Sequence, residues 1–595
     1  MNNNLTKPFI IIIMNLFTRF IDRLPLYSLL FITNLVTFGY SGDYWINTWQ
    51  QSLPGEGDYL GGWNNKLGNV AKDLDGNVYA LGHFVSEHII LFSQSDSVYT
   101  TIDNPGANSW AQLTLVKYNE QGEYLWHKFL GGMGFEIGLN LNTYGMGIDN
   151  NNNLIIAGEI DCVEAYPSFG SPCSNNLDRA FIVKYSTIGE EIWVVNFSYD
   201  NGFGPSGITD IVLDDDNNIY TTGFFKGTDV EFSDEYILSS PNGDTTPFIA
   251  KYTSEGVLSW AANLETSGSS YSKGTSIDLD DDGNIFVGGQ FSDSITINGN
   301  VFTTNQDNRQ GVFFVKYDNN GQVLWGHGII NETGNGVFLQ DLSVSSIGNL
   351  FIAGWIDGQD NNITSPWDPE EGTSGLSTEE GSFGYVAKYL SEGQFQWVKS
   401  SKNLDLNHNS ITKFYNIELY ENEEFLLSGN FTTTTDFDFG GGVYALNPII
   451  DSDVWTQGQR AFLAKYDYWG NIINASAMGD NYGGHDFYPN EMYLDANKNI
   501  YLAIAFDVHG PVDVEFGSGI EMYDTDTAGG LIGKYNADFM TKIIGCMGGD
   551  ALNFDQLAVE DDGSCIYDGV FSENFNSGDP SLNGWEVGEY WEAVE

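Results

Sequence analysis

A six-residue phrase, Lys-Tyr-x-x-x-Gly, recurs along this chain and restricts its fold more than any other feature. It starts at Lys117, Lys184, Lys251, Lys316, Lys388 and Lys465, with a degenerate copy at Lys534. Successive lysines are 67, 67, 65, 72, 77 and 69 residues apart. In five copies a tryptophan lies nine residues beyond the lysine: Trp126, Trp193, Trp260, Trp325 and Trp397. A second phrase, a polar turn running into an apolar stretch and then Gly-x-Phe or Gly-x-Ile, keeps the same period. Its turns are Asp73–Asn77, Asp149–Asn153, Asp214–Asn218, Asp280–Asn284, Ser345–Asn349, Tyr420–Glu424 and Asp495–Asn499. Self-similarity at a fixed period means one supersecondary unit stacked many times, because a single unit cannot bury its own apolar face.

The third unit shows what is repeated. Ile208–Leu213 alternates apolar and polar residues, an Asp/Asn turn follows, and Ile219–Phe225 resumes with β-branched and aromatic residues. A short strand is expected around Val230–Phe232, then strands at Pro247–Tyr252 and Val257–Ala261 flanking the Thr253–Gly256 turn. Period-two alternation between Asx and Gly turns predicts four antiparallel strands per unit. No segment beyond about residue 40 sustains a helical pattern, so the chain reads as all-β. Seven four-stranded units suit a β-propeller of seven blades, and a linear solenoid is the rival. A repeat this long needs extra structure. Ile295–Thr303, Asp436–Leu446 and Val512–Tyr523 are expected to form hairpins inserted between second and third strands.

Asp280–Phe291 and Phe313–Trp325 resemble the repeat of seven-bladed bacterial β-propeller proteins, and the resemblance extends over roughly residues 45–544. It implies secretion and surface display rather than one reaction. Asn474 and Ile543 stand where tryptophan is expected in the sixth and seventh units. Trp49, ahead of the first full unit, reads like the closing strand of a blade. Trp45–Gln51 would then complete the last blade; alternatively Thr541–Ile544 completes it and the N-terminal piece is a lead-in.

The formal charge is −58, with only 23 basic residues. That excludes a nucleic-acid or anionic-membrane binder, which needs a basic footprint. A charged fraction of 17% beside 14% aromatics argues for a packed β core with solvated acidic turns and a soluble monomer. Residues 1–41 are predicted to be a signal peptide: Arg19 and Arg23 precede the apolar run Leu24–Phe38, with small residues at Gly39–Gly42 and Met14 as an alternative start. The competing reading is a retained anchor, against which Arg19, Asp22 and Arg23 interrupt the run. The mature chain is therefore expected to lack a membrane span. Secretion suits two local disulfides, Cys162–Cys173 and Cys546–Cys565. The alternative, metal ligation, lacks partners at zinc spacing.

Four parts follow: the leader 1–41, the propeller 42–544, a disulfide-pinned linker module 545–568, and the beginning of a further β domain, 569–595. The linker resembles the short Gly-Cys…Asp-Asp-Gly-Ser-Cys modules between domains of secreted bacterial surface proteins. Asn553, Asp555, Asp561 and Asp562 could supply oxygen ligands to calcium there, against a plain spacer reading. Phe571–Trp585 looks like the first strand and turn of a jelly-roll or lectin-like domain.

Chemistry is sparse in the sequence. Asp278-x-Asp280-x-Asp282-Gly283 matches half of an EF-hand loop, but the twelfth position is Gly289 rather than glutamate. The seven histidines are scattered without zinc spacing. There is no nucleophile elbow and no phosphate-cradling loop. No acid stands out from its repeat-mates, so no catalytic residue and no required cofactor are assigned. The repeated lysines are expected to be outward strand residues paired with turn carboxylates, and the five tryptophans to be largely buried packing anchors. Tyr144, Trp355, Trp367 and Trp455 fall outside the repeat and are the candidates for a binding face. The expected role is a non-enzymatic recognition or scaffold module of an adhesin-like multidomain surface protein, with an extracellular glycan or protein as ligand. The alternative is a hydrolase or lyase acting on extracellular polysaccharide.

Overall fold

Asp opens five of the seven turns for a local reason: its side chain takes over hydrogen bonds that a ladder would otherwise supply. Asp214 Oδ1 accepts the N–H groups of Asp216 and Asn218, and Asn218 Nδ2 donates back to Asp214 Oδ2 at 2.8 Å. Asp73, Asp149, Asp280 and Asp495 cap their turns in the same way. The strands they join form, in the computed structural model, a chain that is almost all β. Residues 45–50 and most of 66–536 are described, with the pairs 544–545 and 560–561; larger segments outside the description include 51–65, 131–144, 161–178, 448–457 and 562–595.

Among the described residues, six four-stranded antiparallel sheets follow one another in sequence. Their innermost strands are Lys66–Lys72, Gly145–Ile148, Ser206–Leu213, Lys273–Leu279, Val337–Val344 and Thr412–Leu419. A further sheet contains Asp486–Leu494, Asn499–Asp507 and Gly529–Asn536, and its fourth strand is Trp45–Gln50 from the other end of the chain. Trp45 faces Lys534 and Trp49 faces Gly530 in that antiparallel pairing. Ile544–Gly545 instead pairs with Glu560–Asp561. The N-terminal strand therefore completes this sheet.

Each innermost strand packs on the next, and that of the last sheet packs on that of the first. The apolar cores say the same. Leu154 and Ile156 share a core with Tyr79 and Leu115 of the preceding sheet, while Ile155 and Ala157 share another with Ile208 and Phe248 of the following one. Period-two alternation thus feeds two interfaces from one strand. The circuit closes where Leu67, Val70 and Val116 pack with Tyr501, Ala503 and Ile532. Across the same seam Asn490 Nδ2 donates to Leu67 O at 2.6 Å, and Lys72 Nζ lies 2.5 Å from Asp495. A closed circuit of four-stranded sheets around an axis is a β-propeller.

Inserted hairpins occur where expected, between second and third strands: Ser294–Ile297 with Asn300–Thr303, Thr435–Asp436 with Ala445–Leu446, and Gly510–Asp513 with Met522–Thr525. Another joins Val230–Ser233 to Tyr236–Leu238. Three of these extend onto the segment leaving the preceding sheet, namely Ser198–Tyr199, Glu265–Ser267 and Lys402–Asn403. The insertions therefore stitch neighbouring sheets at the rim.

The repeated phrases acquire a shared structural role. Lys184 is 7% exposed, with Nζ 2.8 Å from Asp149 of its own sheet and 3.1 Å from Ser254 O in the next. Lys316 makes the corresponding contacts with Asp280 and Ser391 O. The partner carboxylates are as expected, but the lysines point inward, because the next sheet covers them. The five tryptophans are mostly buried, as expected, and keep an exposed edge because they stand on outermost strands. Trp325 Nε1 donates to Ser391 O at 2.9 Å, and a Cβ on Gly393 would sit 2.9 Å from the indole ring. Gly393 also has φ +86°, a left-handed conformation suited to glycine. Lysine, tryptophan and glycine form one clamp between adjacent sheets.

Candidate functional site: the channel

The innermost strands are irregular at one level. Their pairing register shifts between Leu67 and Asn69, Ile208 and Asp210, Gly274 and Ser276, Leu339 and Asp341, Phe414 and Asn416, and Pro489 and Glu491. An extra residue in one strand re-aims side chains that a regular ladder would place elsewhere. The glycine of the Gly-x-Phe/Ile phrase belongs to this device. A Cβ on Gly354 would collide with Phe338 O beside the bulge, so the close approach requires glycine there.

The six bulges converge on one cavity of about 50 Å³. Its lining is the bulge pairs themselves: Gly68 and Asn69, Thr209 and Asp210, Thr275 and Ser276, Gln340 and Asp341, Tyr415 and Asn416, Asn490 and Glu491. No basic side chain contributes to it.

The carboxylates fasten neighbouring sheets. Asp210 accepts the N–H of Ile211 at 2.7 Å and that of Ile277, in the next sheet, at 2.9 Å. Asp341 accepts from Leu342, from Ser276 Oγ at 2.8 Å and from Ile417 at 2.9 Å. Asp278 accepts from Leu279 and from Val344 at 2.7 Å. Asn69 Nδ2 donates to Glu491 Oε2 at 3.3 Å, while Asn69 Oδ1 is buried without a hydrogen-bond partner. Burial, reinforced by the neighbouring acids, pushes Asp210 up to about 8 and Asp278 to about 7 despite these hydrogen bonds. Burial likewise raises Asp341 to about 6 and lifts Glu418 and Glu491 well above the usual carboxylate range. Near neutral pH the cavity therefore holds both carboxylic acids, which donate, and carboxylates, which accept.

Aromatic residues border the cavity at Tyr415. Trp355 meets Tyr415 edge-on with centroids 6.0 Å apart, stacks on Phe338 at 5.0 Å, and carries Lys413 Nζ 4.6 Å from its centroid. Burial lowers the pKa of Lys413, opposed by the charge of Asp357. A similar group joins Tyr271, 46% exposed, to Phe224, with Lys273 Nζ 5.8 Å from the Tyr271 ring.

Of the binding-face candidates, Trp355 is half-buried beside the channel. Trp367 is fully buried: its ring centroid lies 4.7 Å from that of Tyr385, and its carbonyl accepts the Tyr389 hydroxyl at 2.9 Å. This indole is a core filler, which removes it from the binding face. Tyr144, Trp455, Cys162, Cys173, Cys546, Cys565, Asn553, Asp555 and Asp562 lie outside the described residues, as does the side chain of Asp561. Among the described residues, no three His, Cys, Asp or Glu side chains approach closely enough to hold a metal, and no helix is long and apolar enough to cross a membrane.

The channel acids escaped the sequence reading. Asn69, Asp210, Ser276, Asp341, Asn416 and Glu491 each stand four residues before their turn's first residue. Aligning the units on that turn, rather than on the lysine phrase, exposes a polar column where the inner strand would otherwise be apolar.

No family model matches the chain. An uncharacterized WD repeat-containing protein of Acanthamoeba polyphaga mimivirus is 22% identical over 429 residues, 61% of this chain and 29% of that protein. The chain thus spans less than a third of the length of this curated relative. Among solved structures, an ulvan lyase bound to a glucuronic acid–sulfated rhamnose ligand shares 12% identity, covering 79% of this chain and 96% of the lyase, with a TM-score of 0.38. An acylaminoacyl peptidase of Pyrococcus horikoshii shares 10% over 78% of this chain and 52% of its own, at a TM-score of 0.34. NanB sialidase of Streptococcus pneumoniae shares 10% over 85% and 97%, at 0.25.

Proposed function

We propose that this chain is a secreted or surface-displayed, seven-bladed propeller that serves as a non-enzymatic recognition and scaffold module of an adhesin-like multidomain protein. Its ligand is an extracellular glycan, bound at the channel mouth. The observation that carries this reading is the convergence of six bulged strands on a single polar cavity bordered by aromatic rings. Polar acceptors in a recess beside aromatic surfaces suit sugar hydroxyls and ring faces. Secretion rests on the leader-like segment 1–41, and the two disulfides are proposed with it.

A glycan array probed with the secreted chain tests the reading. Retention of one sugar class, lost on filling the cavity with Ser276→Trp, is expected; no retained glycan leaves a pure scaffold and refutes the binding role. The raised carboxyl groups favour a second reading, a polysaccharide hydrolase using a cavity acid as proton donor. Release of new reducing ends by the same protein would establish that alternative in place of the first.

A further inference from the structure

The cavity is chemically one-sided. Asp210, Asp341 and Glu491 line it, and no cation does. The nearest lysines by the aromatic groups, Lys273 and Lys413, have facing carboxylates in Glu159 and Asp357. Asn69, 7% exposed, brings a carbonyl oxygen that lacks any donor. A buried acceptor left unpaired is costly, and a ligand that supplies the missing N–H recovers that cost. Around 10–15 Å³ suffices for one water, so a cavity of about 50 Å³ admits a small polar head group. A directly coordinated metal fits poorly, because among the described residues no three acidic groups converge at ligating distance. A ligand whose N–H and O–H donors are spread over several atoms can instead reach acceptors placed around a wall.

Resting on the glycan reading above, we propose that the ligand is an amino sugar whose primary ammonium group enters the cavity beside Glu491 and Asn69 Oδ1, which lie next to each other, while its hydroxyl groups reach Asp210 and Asp341. The pairing does not depend on which partner brings the proton. An ammonium meeting a carboxylate and a neutral amine meeting a carboxylic acid give the same ion pair. Asp278, coupled electrostatically to Asp210, adds negative potential in the same sense when it is ionised. The acidity that excludes nucleic acid also disfavours uronate and sulfated polymers.

The test is calorimetric titration of the secreted chain at pH 7 with four oligosaccharides of matched length: glucosamine, N-acetylglucosamine, glucose and glucuronate. Binding of the glucosamine oligomer at least tenfold tighter than the other three is expected. Glu491→Gln, which keeps shape and hydrogen bonding, should weaken it at least fivefold while leaving the melting temperature unchanged. Equal affinity for the acetylated oligomer, preference for glucose or glucuronate, or full affinity in Glu491→Gln overturns the amino-sugar assignment while sparing the glycan reading. Silence with all four overturns both.

Discussion

Lys184 illustrates how little of a repeat is decoration. With its charge buried against Asp149, removing one partner leaves the other ionised and dry, a far larger loss than breaking an exposed pair. Lys184→Met is therefore expected to cost about 3–5 kcal/mol in urea unfolding. A loss within the surface-pair range would show that the pair is hydrated. Burial works against the charge of Asp149, yet hydrogen bonds from Lys184 and Asn153 outweigh it and hold its pKa below the ordinary value. Gly393→Ala should cost more than about 1 kcal/mol, because φ is positive there and the new methyl meets Trp325. Unchanged stability in that variant would remove the indole–glycine clamp from the account.

At the level of elements, the strands, turns and inserted hairpins were legible because each has a local cause. Asx capping marks the turns, as at Asp214, and alternation marks strands that serve two cores, as at Leu154–Ala157. The bulges were not legible, since a bulge is a mismatch of register between two strands and neither strand encodes it alone. For that reason Asp210, Asp341 and Glu491 read as ordinary acids, and Trp367 read as a loop aromatic although it fills a core. The closing strand was half-legible: Trp49 suggested it, and only the pairing of Trp45–Gln50 with Gly530–Lys534 selects it over the C-terminal rival. A chain beginning at residue 42 should melt like the full chain, whereas one beginning at residue 52 should melt several degrees lower. Coincident melting curves would mean that this strand adds nothing to closure.

For the molecule as a whole, the channel sets how stability responds to pH. Asp210, Asp278 and Asp341 titrate at about 8, 7 and 6 in the fold against 3.8 for a free carboxyl. A raised folded pKa means that the native state holds extra protons, so the stabilising contribution is complete below pH 3.8 and is lost as pH rises through about 6 to 8. Asp149, Asp495 and Glu423 are shifted down, and their contribution is lost instead as pH falls below the ordinary carboxylate range. Thermal stability should accordingly peak in mild acid and decline toward pH 8.5, with Asp210→Asn flattening the decline; a profile rising toward alkaline pH would contradict the buried-acid channel. All of this presumes that the first and last sheets meet, 423 residues apart at Lys72 and Asp495. Pulsed electron–electron distance measurement between spin labels at Leu74 and Asn497 examines that contact directly. Closure places the labelled sheets side by side, about 10 Å apart before the added reach of the labels, whereas a linear stack of seven would separate them by about 60 Å. A short, narrow distribution is the predicted result, and a long one would contradict the closed circuit.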